Sequence, residues 1–143
     1  MLSNTCKYGL RAVLYLSVFS SEKRKIGIKE ISEKLHIPSP FLGKILQSLA
    51  RQKILHSTKG PNGGFYLARL PEEITLMDIV IIIDGADIFD TCLLRACKCS
   101  DREPCGIHDN ITSLRGELKN FFINQTIGDL AAEFKGDSDR IRI

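Results

Sequence analysis

The chain has 143 residues, 43% hydrophobic and 26% charged, which is enough to bury a core in one compact domain, with or without an appended arm, and no disulfide is needed to hold it. No basic region followed by an apolar core opens the chain, and no stretch approaches the roughly 20 apolar residues of a membrane span. A cytosolic protein with no membrane partner is therefore expected, in a compartment where clustered thiols bind metal or sense redox state rather than bridge. The net charge of +3 hides an asymmetry: residues 1–70 carry 12 Lys or Arg against 3 Asp or Glu (+9), and residues 71–143 carry 8 against 14 (−6). A basic half of this density suits a polyanion such as nucleic acid, with a plain lysine-rich solvated surface as the alternative.

In chain order, Thr5 to Phe19 places Leu10, Val13, Leu14 and Val18 at helical spacing and predicts a buried helix. After a basic turn at Ser21–Lys25, Ile28, Ile31 and Leu35 repeat at i, i+3 and i+7, with Lys29, Glu30, Glu33 and Lys34 outward, and Pro38 stops this short amphipathic helix. A second helix starts at once, with Ser39 placed to cap and Pro40 at the first helical position. Leu42, Ile45, Leu46 and Leu49 form its apolar stripe, while Lys44, Gln47, Ser48 and Arg51 face out. Two short helices and a tight turn make a helix-turn-helix, although an ordinary helical hairpin would read the same way.

The next segment separates the two. "I-L-H-S-T-K-G-P-N-G-G-F-Y-L-A-R" sets β-prone runs on either side of Gly60-Pro61-Asn62-Gly63-Gly64, so a hairpin comes directly after the second helix, as a wing does. Lys59 and Arg69 would flank a tip whose glycines let backbone approach phosphates closely. Beyond Leu70, "T-L-M-D-I-V-I-I-I-D" has the β-branched run of a buried strand. Thr75 and Asp78 nevertheless form a capping-box start, Leu76, Ile79, Val80 and Ile83 keep helical spacing, and helix is the expectation up to Gly85. Asp109 to Ile123 then carries Ile111, Leu114, Leu118, Phe121 and Phe122 as a seam of coiled-coil type, which either packs on its own chain or meets a second copy. A short helix at Thr126–Phe134 and a charged tail at Gly136–Ile143 complete the chain.

Between Asp87 and His108 lie four of the five cysteines. Cys92, Cys99, Cys105 and His108 read C-x6-C-x5-C-x2-H, with Cys97 inside the first interval. Convergent thiolates in a loop hold zinc or an iron-sulfur cluster. The loop lacks a clean C-x2-C knuckle, and its wide spacing suits the larger object, a [2Fe-2S] rhomb. Zinc on a Cys3His set and a metal-free thiol sensor stay open, as does a helix-capping role for His108.

Over nearly its full length the chain resembles the bacterial winged-helix regulators of the IscR, NsrR and CymR type, the Rrf-two family. The resemblance is carried by "Y-G-L-R-A-V-L-Y-L" at Tyr8–Leu16, "I-K-E-I-S-E-K-L-H-I-P" before the second helix of the motif, "K-G-P-N-G-G-F-Y-L-A" at Lys59–Ala68, the cysteine loop, and "T-I-G-D-L" at Thr126–Leu130. It implies a homodimer joined at the long C-terminal helix, DNA read by Ser39–Arg51 and the wing, and a cluster or thiol switch in the loop. Cluster-binding relatives commonly place five residues between their first two cysteines. Here Cys92 is followed by Cys97 after four residues and by Cys99 after six, so which of Cys92 and Cys97 ligates stays open. Lys7 stands where nitric-oxide sensors of the family recruit an acidic residue from the partner's first helix; a cation cannot ligate, which moves the fourth ligand toward His108, with Cys6 a remoter candidate.

The expected fold is therefore mainly α with a small β-hairpin wing: a winged helix-turn-helix at 1–84, a cysteine-rich sensor loop at 85–108, and a dimerisation helix and tail at 109–143. The expected protein is a dimeric regulator, acting as a repressor on a double-stranded DNA operator. Its DNA face is Ser39, Pro40, Phe41, Lys44, Gln47, Ser48, Arg51, Lys59, Asn62 and Gly63, and its dimer face is Ile111, Leu114, Leu118, Phe121 and Phe122. The expected cofactor is a [2Fe-2S] cluster on Cys92, Cys99, Cys105 and His108, with zinc or no metal as alternatives. The rival functions are a repressor governed by free thiols or a partner protein, a zinc-stapled interaction module, and an electron carrier, for which the basic wing would be pointless. An enzyme is not expected, because no nucleophile-base-orienter set or phosphate loop is visible.

Overall fold

A computed structural model describes residues 2–134; the tail expected at Gly136–Ile143 lies outside them. Helix α1 spans Asn4–Phe19. Ser3 caps it, its hydroxyl accepting from the Cys6 N–H at 2.9 Å, and Cys6, Gly9, Ala12, Val13, Tyr15 and Leu16 are buried along it. Helix α2 (Ile28–Leu35) ends where His36 turns left-handed at φ 53°. The Ser32 hydroxyl donates to the Ile37 carbonyl at 2.6 Å and closes the turn into α3 (Ser39–Arg51). Here the cap differs from the expectation. Pro38 is the capping residue, Ser39 and Pro40 are the first two helical residues, and the Ser39 hydroxyl donates to Ser32 Oγ at 3.0 Å. Pro38 has no side-chain acceptor, so the start of α3 carries no side-chain cap, and Ser39, already inside the helix, ties α3 back to α2 instead.

Strands β1 (Leu55–Thr58) and β2 (Gly64–Leu67) pair antiparallel, Leu55 opposite Leu67 and Thr58 opposite Gly64. Gly64 has φ +151°, and a Cβ there would lie 2.7 Å from the Ile26 carbonyl carbon. That close approach lets Ile26 and Phe65 exchange two backbone hydrogen bonds of 3.1 and 2.8 Å, which anchor the wing to the segment before α2. Helix α4 (Leu76–Ile83) opens on the expected capping box, with Thr75 and Asp78 exchanging bonds of 2.9 and 3.1 Å, and the β-branched run is helical. A 3₁₀ turn at Ala86–Phe89 leads into the cysteine loop, α5 spans His108–Asn124, and α6 spans Ile127–Phe134.

One core joins these pieces. Ile31, Leu35, Leu42, Leu46 and Leu49 are inaccessible to solvent, so α2 and α3 press their stripes onto α1. Helix α6 returns to this core: Ile127 is fully buried, its N–H donates to Ile74 at 2.8 Å, and Leu130, Ala131 and Phe134 pack alongside. The charged side chains of α3 are thereby left facing outward on a fixed frame. No helix among the described residues is long and apolar enough to cross a membrane.

Candidate functional site

Two sites emerge, a basic reading face and a thiol loop. On α3 the residues Ser39, Pro40, Phe41, Lys44, Gln47 and Arg51 are exposed and Ser48 is half-buried. A cleft of about 500 Å³ separates α3 from the wing, with Gln47 and Arg51 on one wall and His56, Ser57 and Lys59 on the other. Lys59 and Asn62 are exposed at the wing's turn. Among the described residues, Lys44, Arg51 and Lys59 form no salt bridge, so their charge is available to an outside anion.

Two expectations for the wing need correction. Arg69 does not flank the tip: its guanidinium donates to the Glu73 carbonyl at 2.7 Å and lies 3.9 Å from Asp78, so it is folded back on its own chain. The Gly63 N–H is closed within the turn, donating to the Gly60 carbonyl at 2.9 Å.

In the loop, residues 89 to 92 run along α5 in steps of one turn. The Phe89 ring meets Phe122 at a centroid distance of 5.3 Å. Asp90 Oδ1 lies 2.5 Å from Lys119 Nζ, the Thr91 carbonyl accepts from Arg115, and Cys92 borders an apolar groove of about 470 Å³ with Leu93, Ile111, Leu114 and Leu118. Backbone bonds then shape the loop. The Cys92 N–H donates to the Cys97 carbonyl at 2.8 Å, and the Cys99 N–H to the Asp90 carbonyl at 2.7 Å. Lys98 pairs with Asp87 at 2.7 Å.

One pair of donors is set by a direct contact. Cys99 Sγ lies 3.3 Å from His108 Nδ1, and Cys92 neighbours Cys105, whose side chain, after the Leu94 and Arg95 backbone N–H groups, helps hold the Cys92 thiol below its ordinary pKa. His108 opens α5 with only 9% of its surface exposed, and its Nε2 sits 2.8 Å from Asp101 Oδ1; a carboxylate on the far nitrogen is the arrangement that orients ligating imidazoles. Cys97 is exposed. Cys6 lies in the core, its thiol pushed up to about 12 by burial and then by Asp84, which disfavours the thiolate a ligand needs. Among the described residues, no three His, Cys, Asp or Glu side chains converge on one point that would hold a single metal ion.

On α5, Leu114 and Phe121 are 59% and 52% exposed, Ile123 joins them, and Ile111 and Leu118 are half-buried beside the groove. Phe122 departs from the expected outer seam. It is 6% exposed, turned inward by its ring contact with Phe89. Sequence reasoning missed Asp90, Asp101, Arg115 and Lys119. The i, i+4 spacing of Arg115 and Lys119 marks one face of α5, but their partners lie 24 and 29 residues away.

Residues 2–133 match the Rrf2 family, described as iron-dependent transcriptional regulators. The chain belongs to that family. A protein of Aquifex aeolicus described as an HTH-type transcriptional regulator is 36% identical over 132 residues, covering 91% of this chain and 90% of the relative. The regulator NsrR of Geobacillus kaustophilus is 34% identical over 79 residues, 55% of this chain and 53% of its own length. Among solved structures, CymR, the global cysteine regulator of B. subtilis, superposes with a TM-score of 0.76 at 22% identity, over 93% of this chain and 97% of its own. The IscR of T. potens reaches 0.68 at 20%, over 93% and 87%. These likenesses establish the winged-helix fold, and the family is one of transcriptional regulators rather than enzymes.

Proposed function

We propose that this Rrf2 protein is a homodimeric regulator that reads an operator half-site with α3 and the wing of each protomer, and that its loop senses iron-sulfur, nitric oxide or redox status through a [2Fe-2S] cluster on Cys92, Cys99, Cys105 and His108. The observation carrying the sensor reading is the contact of Cys99 Sγ with His108 Nδ1 at 3.3 Å, with Asp101 Oδ1 on the far nitrogen of the imidazole. A single zinc ion wants four ligands around one point. A two-iron rhomb wants two on each iron, and three thiols with an imidazole match that demand in number and kind. When bound, the cluster would supply a reversible one-electron or nitric-oxide-reactive centre. The protein's own part is mechanical. His108 is the first residue of α5, while Lys119 and Arg115 grip Asp90 and Thr91. Ordering the loop therefore fixes the start of the helix that carries the proposed dimer seam, and with it the separation of the two α3 helices.

Purification without air tests this. Wild type should be brown, with one cluster's iron per chain after reconstitution with iron and sulfide. Cys99→Ala and Cys105→Ala should abolish the visible absorbance, Cys92→Ala should nearly do so, Cys97→Ala should leave it largely intact, and His108→Ala should weaken or shift it. An uncoloured protein binding one zinc would refute the sensor chemistry and leave the DNA reading standing. A cluster-free thiol sensor is the second reading, favoured by the Cys92 thiol, which the Leu94 and Arg95 backbone N–H groups and the Cys105 side chain hold below its ordinary pKa. A protein colourless after reconstitution, without zinc, whose DNA affinity still responds to oxidation would select it.

A further inference from the structure

Phe41 is an anomaly on the basic face. Its side chain is 60% exposed, and among the described residues it is the only large apolar side chain of α2, α3 or the wing left open to solvent. The other exposed apolar groups are Leu70, Ile81 and six residues of the loop and α5. The ring borders a shallow hollow of about 240 Å³ that Ile45, Ile82 and Ile83 also line. It is the third residue of α3, one turn before Lys44 and two before Ser48. Recognition helices bring their N-terminal residues to base edges in the major groove. The apolar feature that B-DNA offers there is the C5-methyl of thymine, which side chains such as Phe contact directly.

We propose that Phe41 is a specificity-determining residue that reads a thymine methyl in each operator half-site. This rests on the reading of α3 as the DNA-facing helix. The surrounding chemistry favours that occupant: Phe41 stands at the edge of a face whose other long side chains, Lys44, Gln47 and Arg51, are polar or cationic, and Lys44 and Arg51 have no acidic partner among the described residues. A purely apolar protein surface would leave those cations unpaired. The methyl edge of a base pair, flanked by phosphates, satisfies both kinds of side chain.

The test uses the full-length protein and a pool of random-sequence duplexes. Sequences enriched by wild type are aligned, each thymine is replaced singly by deoxyuridine, which removes only the methyl, and affinities are measured for wild type, Phe41→Ala and Phe41→Leu. At one thymine per half-site, wild type should lose about fourfold, the loss expected for one buried methyl group. Phe41→Ala should bind the thymine and uracil duplexes equally, and Phe41→Leu should keep part of the discrimination. Circular dichroism of Phe41→Ala should match wild type, because an exposed ring contributes little to the core. Equal losses in wild type and Phe41→Ala, or no loss at any thymine, would overturn the assignment, as would a Phe41→Ala protein whose assembly state rather than base preference changes. A pool with no enriched sequence would instead remove the DNA-binding reading on which the proposal stands.

Discussion

The winged-helix body and the cysteine loop are held by different forces. In the body, Leu35, Leu42, Leu46 and Leu49 lose all contact with water, side chains cap the starts of α1 and α4, and the wing is tied to Ile26 through backbone. From Thr91 to Ile107 only Cys92 is buried, Leu93 and Leu94 face solvent, and the segment depends on a few polar contacts to α5 and within itself. Each such contact contributes about 0.5–1.5 kcal/mol net. Local opening therefore costs far less in the loop than in the body. A rigid body joined to a loosely held segment would suit the proposed sensor, because the segment's conformation could then follow ligand state without disturbing the fold.

The sharpest break of this comparison is a core deletion. Leu46→Ala should lower unfolding stability by about 2–5 kcal/mol and DNA binding should go with it, while Leu94→Ala in the loop should stay within about 0.5 kcal/mol; denaturant titration followed by circular dichroism compares them. A loop variant as costly as the core variant would show that the loop belongs to the cooperative body. Next comes assembly. Leu118→Glu puts a charge into the proposed apolar seam, a change that costs several kcal/mol in a buried interface. Light scattering should then show monomers at micromolar concentration, and a persistent dimer would place the interface elsewhere.

The difference between the regions also decides how much of each is legible in the sequence. The helix-turn-helix, the wing and the Thr75 capping box are local patterns, each specified within a dozen residues, and all three form. The Ser39 cap failed because Pro38 and Ser32, both nearby, offer alternatives that spacing does not rank. In the C-terminal part the pattern misled at Phe122, whose helical position suits an outer seam; the Phe89 ring, from the other side of the cysteine loop, draws it inward. The pairing of Cys99 with His108, and the grip of Lys119 on Asp90, depend on how a loop without secondary structure of its own folds back. No periodicity encodes that.

A smaller effect concerns the reading face. Replacing Lys44, Arg51 or Lys59 by Ala should each weaken DNA binding and flatten the slope of log affinity against log salt by roughly one unit, since each removes one phosphate-neutralising charge. Arg69→Ala should leave the slope unchanged, because its guanidinium is held by the Glu73 carbonyl and Asp78. Fluorescence anisotropy across a salt series separates them. A triple Lys44, Arg51, Lys59 variant that binds as tightly as wild type would remove α3 and the wing from the interface.

The smallest expected change in stability probes the joint between the two regions. Asp90 and Lys119 are each more than a third exposed at the side chain, so their ion pair contributes at most about 1 kcal/mol to global stability. Its local consequence is larger, because the Asp90 carbonyl receives the Cys99 N–H and the pair holds that carbonyl in place on α5. Asp90→Lys and Lys119→Asp should each leave the melting transition nearly unchanged while speeding amide hydrogen exchange at Cys99, and the charge-swapped double variant should restore slow exchange. Raising salt to about 1 M, where screening reaches about 3 Å, should speed exchange in wild type toward the single variants. Exchange at Ile127, whose N–H is bonded to Ile74 in the body, should not respond in any of them. If Cys99 exchanges equally in wild type and both single variants, the ion pair does not register the loop on α5, and the grip must come from Arg115 on the Thr91 carbonyl alone, which Arg115→Leu would then expose by the same measurement.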